Sequence, residues 1–408
     1  MTASCRNCES PLDQVFVDLG MSPLSNAFLG PDQLQEMEPF YPLRAMVCAT
    51  CKLVQLPQFE SPAEIFSDYI YFSSWSTSWL AHVERFVERA TADLGLGPAS
   101  KVVEVASNDG YLLQYFQKAG VPVLGVEPAA NVAAVAVDRG IPTVSAFFGA
   151  ALADELASEG RANLVVANNV LAHVPDLHDF VEGFRRVLAP GGHLSVEFPH
   201  LLRLVEDLQF DTIYHEHFSY LSLLVVEQVF ADHDLRVVDV EELPTHGGSL
   251  RVWARHDADA SVEGEGRRKV LADEVDAGID RSDTYAGFAE RVERRKRDLL
   301  SILIGCRDAG LTIAAYGAAA KGNTLLNYCG IGGDLIDFVV DVSTQKQGLF
   351  LPGTHLPVLS PAVLRERRPD VVLILPWNIQ DEVIESISYV RAWGGRFLVQ
   401  HPTLALVG

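Results

Sequence analysis

The chain has little sulfur and no surplus of positive charge. It carries 6 Cys and 4 Met among 408 residues, with 32 Lys and Arg against 54 Asp and Glu. The resulting formal charge of −22 repels phosphate backbones and anionic lipid, which excludes a general nucleic-acid or membrane-surface binder. An anionic ligand then needs a local site, such as a helix N-terminus or a placed Lys or Arg. No apolar run is long enough to span a bilayer, and the opening Met-Thr-Ala-Ser-Cys lacks the basic and apolar regions of a signal peptide. A cytoplasmic location is therefore expected, and disulfides are rare there. Two motifs are also absent: the Gly-x-Gly-x-x-Gly of dinucleotide sites and the His-Glu-x-x-His of zincin helices. What remains is ordinary globular material, 48% hydrophobic and 21% charged. Its length suits about two to three domains.

Four of the six cysteines fall within the first 51 residues, as Cys5, Cys8, Cys48 and Cys51. They form two Cys-x-x-Cys pairs separated by 39 residues. A two-residue spacer lets both thiolates of a pair face one tetrahedral ion. Two such pairs close a four-sulfur shell with no vacant position, which suits a structural Zn²⁺. The separation exceeds the roughly 15–20 residues of common zinc ribbons, so a small domain is expected between the pairs. A redox pair is the competing reading, but neither pair lies near a βαβ pattern. Cys306 and Cys329 sit in apolar sequence and read as buried small hydrophobes.

Residues 1–70 read as this zinc-binding module, 71–255 as a central α/β domain, and 256–408 as a linker helix leading into a second α/β domain. An aromatic, hydroxyl-rich segment from Tyr69 to Trp79 runs into an amphipathic helix ending near Leu94. Buried-strand patterns follow at 102–105, 123–127, 164–167 and 192–198, with helical stretches between them, so a parallel sheet is expected. The segments 235–243 and 249–255, joined by a turn at 244–248, read as an antiparallel closing pair. Residues 256–284 are acidic and polar without an apolar period, and read as a linker or a loosely packed helix. Strand patterns recur at 311–316, 336–341, 371–375 and 396–399.

Glu104-Val-Ala106-Ser107-Asn108-Asp109-Gly110 sits where a strand turns into a helix. Small residues let a ligand approach the backbone, and the helix start offers N–H groups. Glu127-Pro128 follows, with Glu127 at 23 residues from Glu104 and at the end of the next strand. An acid there binds both hydroxyls of an adenosine ribose. Asp109 is hostile to a pyrophosphate, so a ligand with a ribose and a positive or zwitterionic end is favoured over NAD. S-adenosylmethionine (SAM) fits that description. A cofactor-free Rossmann-like unit is the alternative.

Asp211-Thr-Ile-Tyr214-His215-Glu216-His217-Phe-Ser-Tyr220 concentrates imidazole, carboxylate and phenol on the C-terminal side of the sheet. In an extended segment His215 and His217 face one way and Glu216 the other. Imidazole is a suitable base near neutral pH, and a neighbouring carboxylate orients it and stabilises its protonated form. His173 is a second candidate.

On Glu104 to Gly110 and Glu127, the central domain resembles class I SAM-dependent methyltransferases, with Ala106 and Asn108 where glycines are usual. The resemblance implies that Glu104, Ala106, Ser107, Asn108, Asp109, Gly110, Glu127 and Pro128 hold SAM. It places Phe147 and Phe148 where a later loop contacts adenine, and Asn168 and Asn169 at the end of the family's fourth strand. Over essentially the whole chain, the zinc pairs, Ser107-Asn-Asp-Gly110, Tyr214-His-Glu-His217 and the C-terminal α/β unit resemble the deoxysugar C-methyltransferases. These act on dTDP-linked 4-keto-6-deoxysugars. The likeness implies His217 as the base, assisted by Tyr214, Glu216 and His173. A ketone at sugar C4 acidifies the C–H at C3 or C5, with C3 favoured. His217 is expected to take that proton with Glu216 holding the imidazole. Tyr214 or His173 would stabilise the oxyanion.

Tyr316-Gly-Ala-Ala-Ala-Lys321-Gly-Asn323 again follows a strand and opens a helix, and small residues plus a lysine suit a phosphate. The resemblance makes Lys321 a contact of the sugar nucleotide's diphosphate. Tyr71, Ser74, Trp79, His246, Asn323, Trp377 and Asn378 are the further expected substrate contacts. Two other readings stay open. One is a C-terminal unit that binds NAD(P)H, making the chain a reductase or a bifunctional enzyme. The other is a non-catalytic zinc-and-Rossmann scaffold. Monomer and dimer are both compatible with the sequence.

Overall fold

The computed structural model describes residues 4–61, 72–259 and 263–408, which fall into two units built from separate stretches of chain. The first holds the residues up to Asp13, Cys48–Leu202 and Phe218–Arg281. The second holds Gln14–Val47, Arg203–His217 and Ser282–Gly408. Among the described residues no helix is long and apolar enough to cross a membrane.

The first unit carries a seven-stranded sheet. Its strands are β1 (Val102–Val105), β2 (Val123–Val126), β3 (Thr143–Val144), β4 (Ala162–Asn168), β5 (Leu188–Pro199), β6 (Leu235–Leu243) and β7 (Ser249–His256). The order is β3-β2-β1-β4-β5-β7-β6, parallel throughout except that β7 runs antiparallel to both its neighbours. The short edge strand β3 has only two residues, too few to show a pattern in sequence. All four residues of β1 are buried, as a central strand covered on both faces requires. Val83, Phe86 and Val87 of the Thr77–Asp93 helix pack with Leu113 and Phe116 against Val102 and Leu164. The Ser76 hydroxyl caps that helix by accepting the Trp79 N–H at 3.2 Å. Strand order reverses between β1 and β4, so the loops leaving their carboxyl ends diverge and open a crevice.

The stretch read as a linker or a loosely packed helix belongs to this unit up to Arg281, and it is helical. Glu265–Asp276 forms a helix lying directly on β6, since a Cβ at Gly266 would sit 2.0 Å from the Val240 carbonyl. Glu274 is fully buried. It accepts the Leu223 and Leu224 N–H groups at 2.6 and 2.9 Å, and lies 2.7 Å from His200 Nε2. The carboxylate thus satisfies the exposed donors at the start of the Leu223–Ala231 helix. One buried acid fixes an otherwise polar helix, and such a contact leaves no apolar period to read.

The second unit holds β8 (Ile313–Tyr316), β9 (Phe338–Val340), β10 (Val358–Leu359), β11 (Val371–Ile374), β12 (Arg396–Val399) and β13 (Ala405–Val407). Their order is β10-β9-β8-β11-β12-β13, parallel except for the antiparallel β12–β13 pair. β8 leads into the Ala320–Cys329 helix. The segment between the cysteine pairs forms a hairpin grouped with the second unit. Gln14–Ser22 and Tyr41–Val47 pair antiparallel, and Phe16 stacks on Phe288 at 4.3 Å and meets Tyr285 edge-on at 5.8 Å. These contacts draw the hairpin into the second unit.

Glu274→Ala is expected to lower the unfolding free energy by about 3 kcal/mol, because it strands two helix-start donors and the His200 ring. Glu274→Gln, which keeps one carbonyl acceptor, should lose less. Urea titration followed by circular dichroism measures both, and an unshifted midpoint for the alanine variant would contradict this account.

Candidate functional site

The two cysteine knuckles are built alike. The Cys5 N–H donates to the Ser10 carbonyl at 2.8 Å, and the Glu9 N–H to the Cys5 carbonyl at 2.9 Å. In the second knuckle the Cys48 N–H donates to Leu53 at 2.9 Å, and the Lys52 N–H to Cys48 at 3.0 Å. Glu9 and Lys52 turn the chain back with φ of 60° and 67°. The four Sγ atoms lie within 4.8 Å of one another, with Cys5–Cys51 and Cys8–Cys48 each at 3.5 Å. Sulfurs about 2.3 Å from one tetrahedral zinc are about 3.8 Å apart, so the set fits that ion. Gln55 Nε2 donates to Cys5 Sγ at 3.1 Å while its Oε1 accepts the Arg6 N–H at 3.0 Å, an outer partner that suits a thiolate.

In the crevice of the first unit, the loop after β1 places Ala106 and Asn108 at φ of 57° and 48°. These are the two positions where related loops carry glycine, and both adopt the backbone conformation glycine favours. Gly110 is needed for itself: its φ is 76°, and a Cβ would meet Ile141 Cδ1 at 2.3 Å. Glu127 accepts the Asn108 and Ala129 N–H groups, each at 2.9 Å. Burial raises its pKa. Pro128 lies half-buried beside it. Asp109 is neutralised within the protein: Arg139 Nη1 lies 2.9 Å from its Oδ2, and the Ser74 hydroxyl donates to the same oxygen. The Asn108 side chain accepts the Ser73 N–H at 2.8 Å.

Several polar atoms here lack partners. Asp109 Oδ1, Asn169 Oδ1 and Ser107 Oγ have no hydrogen-bond partner among the described residues, while fully buried Glu104 and the Asn168 side chain both engage the Tyr111 hydroxyl. Burial raises the Glu104 pKa well above the usual range. Orphaned groups at the carboxyl ends of β1 and β4 fit a bound molecule that supplies donors, as the amino group and ribose of SAM do. Phe147 is exposed. Phe148 is engaged in packing, with its ring 5.4 Å from Phe180 and its edge over Gly183.

Trp79 and His246 come together in the same unit. Their rings are 5.6 Å apart, and Asn169 Nδ2 lies 3.3 Å from His246 Nε2. Trp79 also stacks on His82 at 4.9 Å. His82 leads to a buried cluster that the sequence did not flag. Glu197 there lies 3.1 Å from His82 and 2.8 Å from Arg251, and accepts the Thr245 hydroxyl at 2.9 Å. His173 closes the 3₁₀ turn Leu171–His173 just after Asn168 and Asn169. Ser74, expected at substrate, is instead the donor to Asp109. Tyr71 lies outside the described residues.

The Tyr-His-Glu-His segment of the second unit is a turn, not an extended strand. It is closed by the His217 N–H donating to the Tyr214 carbonyl at 2.9 Å, so the side chains do not alternate. His215 Nε2 lies 3.2 Å from the Pro42 carbonyl. Glu216 Oε1 accepts Asn26 Nδ2 at 2.6 Å. Burial pushes the Glu216 pKa up to about 7, opposed by the Asn26 hydrogen bond and the charge of Lys346. His217 Nδ1 is 2.9 Å from the Thr212 carbonyl. A carbonyl only accepts, so Nδ1 carries a proton and the neutral ring keeps its lone pair on Nε2. The support expected from Glu216 thus comes from the backbone at Thr212. The Tyr214 ring lies 4.1 Å from that of His217.

Lys321, Trp377 and Asn378 also converge in the second unit. Lys321 Nζ donates to Asn378 Oδ1 at 2.6 Å and sits 4.4 Å over the Trp377 ring. Burial lowers the Lys321 pKa to about 8. Asn323, on the same helix, is buried with neither side-chain polar atom partnered among the described residues. The flanking glycines face protein: a Cβ at Gly317 would meet Pro376 at 2.6 Å, and one at Gly322 would meet Leu375 at 2.9 Å.

Residues 5–66 match the family model described as "Putative zinc binding domain", 79–240 that described as "Methyltransferase domain", and 244–402 that described as "C-methyltransferase C-terminal domain". Over 402 residues, 98% of this chain and 95% of the relative, the sequence is 39% identical to the C-methyltransferase NovU of Streptomyces niveus. Over 113 residues, 28% of this chain and 45% of the relative, it is 28% identical to a ubiquinone biosynthesis O-methyltransferase of Bradyrhizobium sp. (strain ORS 278). A solved SAM-dependent methyltransferase from Anabaena variabilis ATCC 29413 aligns with 44% of this chain and 86% of its own, at 16% identity and a TM-score of 0.36.

Two outcomes follow from this geometry. Metal analysis should find one zinc per chain, lost in Cys48→Ser together with thermal stability. A fully stable, zinc-free protein would remove the ion from the fold. For Glu216, a native pKa raised from 4.5 to about 7 means that the folded state binds this proton more tightly than the unfolded chain. Its stabilising contribution is complete below the unfolded value and is lost as pH rises through the folded one. Glu216→Gln keeps the acceptor for Asn26. Its stability should match wild type near pH 4.5 and exceed it by up to about 3 kcal/mol above about pH 8. Thermal melts across that range read the difference.

Proposed function

The chain belongs to the SAM-dependent C-methyltransferase family, and from that premise we propose that it methylates the carbon next to the ketone of a dTDP-linked 4-keto-6-deoxysugar, at C3, in the biosynthesis of a natural product. SAM and a structural zinc are its cofactors, as the methyltransferase fold and the four clustered cysteines establish. The observation that carries the catalytic reading is the contact between His217 Nδ1 and the Thr212 carbonyl, which directs the imidazole lone pair to Nε2. A carbon accepts a methyl group only as a nucleophile, so a proton α to the ketone has to leave first. His217 Nε2 takes it, and the electron pair of the broken C–H bond moves into the enolate. Tyr214 or His173 is assigned the hydrogen bond to the enolate oxygen. When bound, SAM would supply the electrophilic methyl carbon, the S–CH3 bond breaking with its electron pair left on sulfur as S-adenosylhomocysteine.

Glu104, Glu127 and Asn168 are the residues assigned to the cofactor, from their places at the carboxyl ends of β1, β2 and β4. Lys321 and Asn378 are assigned to the diphosphate end of the substrate, with the Trp377 ring carrying the Lys321 ammonium on its face. Lys321 remains mostly charged at neutral pH with a pKa of about 8, which suits a phosphate contact. The zinc shell has four sulfurs and no open position, so its part is to fold the knuckles.

His217→Asn should cut turnover by about 10²–10⁴-fold while SAM affinity, read by calorimetry, is unchanged. Near-normal turnover would remove His217 from the role. NMR of the product made with ¹³C-methyl SAM should place the label on C3. A label on C5 would keep the chemistry and overturn the regiochemistry.

A further inference from the structure

The Phe210–Thr212 turn carries two contacts that point in different directions. The carbonyl of Thr212 holds His217 Nδ1. One residue earlier, Asp211 is buried, and its Oδ2 accepts the Trp377 indole N–H at 2.8 Å. Its Oδ1 has no hydrogen-bond partner among the described residues. The Trp377 ring is the one Lys321 sits over, and its other neighbour is His401, with ring centres 4.3 Å apart. The next residue, Asn378, receives the Lys321 ammonium. The turn is pinned from another side too, since the Thr324 hydroxyl donates to the Ile213 carbonyl at 3.2 Å.

We infer that Asp211 and Trp377 are positioning residues that set the place of the His217 imidazole and tie it to the Lys321 cluster. The inference rests on the reading of His217 as the base and Lys321 as the phosphate contact. Trp377 is fixed by Lys321 and His401 on its ring and reaches Asp211 through a single N–H. Asp211 in turn fixes the turn whose next carbonyl orients His217. An indole N–H bonded to a buried carboxylate is a charge-assisted contact, stronger than the neutral hydrogen bond that it controls. The charged groups facing Asp211 are Lys321 and Arg295, and both favour its ionised form against burial, which raises its pKa to about 6. An anion bound at Lys321 would shift the ring beneath it. That shift reaches His217 through no more than the Trp377–Asp211 bond and one peptide unit.

The test isolates proton abstraction from methyl transfer. The dTDP-linked 4-keto-6-deoxysugar is incubated in D₂O with the full-length zinc-loaded enzyme and S-adenosylhomocysteine. Deuterium entry α to the ketone is followed by ¹H NMR. Trp377→Phe keeps the ring for Lys321 and His401 but deletes the N–H. It should slow exchange by about tenfold to a hundredfold, the range for a misplaced reacting group, while the affinity for the sugar nucleotide holds. Asp211→Ala should do the same. Asp211→Asn, whose side-chain carbonyl can still accept the indole N–H, should recover most of the loss. Undiminished exchange in Trp377→Phe overturns the relay, as does a loss matched by an equal loss of substrate affinity. Failure of Asp211→Asn to improve on Asp211→Ala overturns it too. His217→Asn runs alongside. Exchange abolished there but intact in Trp377→Phe removes the relay alone, whereas exchange surviving in His217→Asn removes the base assignment and the relay with it.

Discussion

Both α/β units depend on one contact: a carboxylate at the end of the second strand that takes an N–H from the loop before it and another from two residues ahead. Glu127 takes those of Asn108 and Ala129. Asp341 takes those of Ala318 and Ser343, at 2.7 and 2.8 Å. In each case the acid holds the loop that leaves the first strand of the sheet. The loop after β1 has a conformational cost, since Ala106 and Asn108 sit in the left-handed region at about 1–2 kcal/mol each. Two hydrogen bonds to a carboxylate contribute about 1.5–3 kcal/mol each, enough to offset it. The second unit meets the same demand more cheaply, with Gly317 at φ of 91°. Loop geometry is therefore set by an acid distant in sequence, and glycine is only one way of relaxing it.

The same economy governs charge. The net charge is −22, while burial perturbs a set of individual groups in each unit. Burial raises Glu104 and Glu127 in the first unit, and Asp211 and Glu216 in the second. It lowers Lys321 and Lys346. Perturbation of this kind concentrates where ligands are handled. The global field argues against polyanions, and a single buried lysine beside Trp377 and Asn378 is a local exception to it.

Local chemistry was legible in the sequence. Cys5, Cys8, Cys48 and Cys51 announce their shell because the two-residue spacer is the constraint, and Glu104 to Gly110 with Glu127 announces its loop in the same way. What escaped depends on contacts between distant residues. Nothing near Phe16 shows that it stacks on Phe288. The 265–276 helix is held by Glu274 rather than by an apolar stripe, and it read as a linker or a loosely packed helix. Phe147 and Phe148 read alike as an aromatic pair, yet Gly183 leaves room for the Phe148 ring alone to pack inward. Arg139, His82, Glu197 and Arg251 belong to no motif. Their roles follow only from the partners they face.

The least legible feature was the direction of Glu216. Alternation assumed an extended strand, and the hydrogen bond from the His217 N–H to the Tyr214 carbonyl makes a turn instead. That turn sends the carboxylate to Asn26 and leaves the imidazole to a backbone carbonyl. On the reading of His217 as the base, the difference has a chemical meaning. A carboxylate beside the ring would stabilise the imidazolium, but it would also place a full negative charge near an enolate forming its own. A neutral carbonyl fixes the tautomer without that repulsion. Glu216, half-protonated near neutral pH and bound to Asn26, adds little negative charge at the site. The turn therefore separates two tasks that an adjacent histidine and acid are usually assumed to share: the backbone orients the base, and the acid braces the turn.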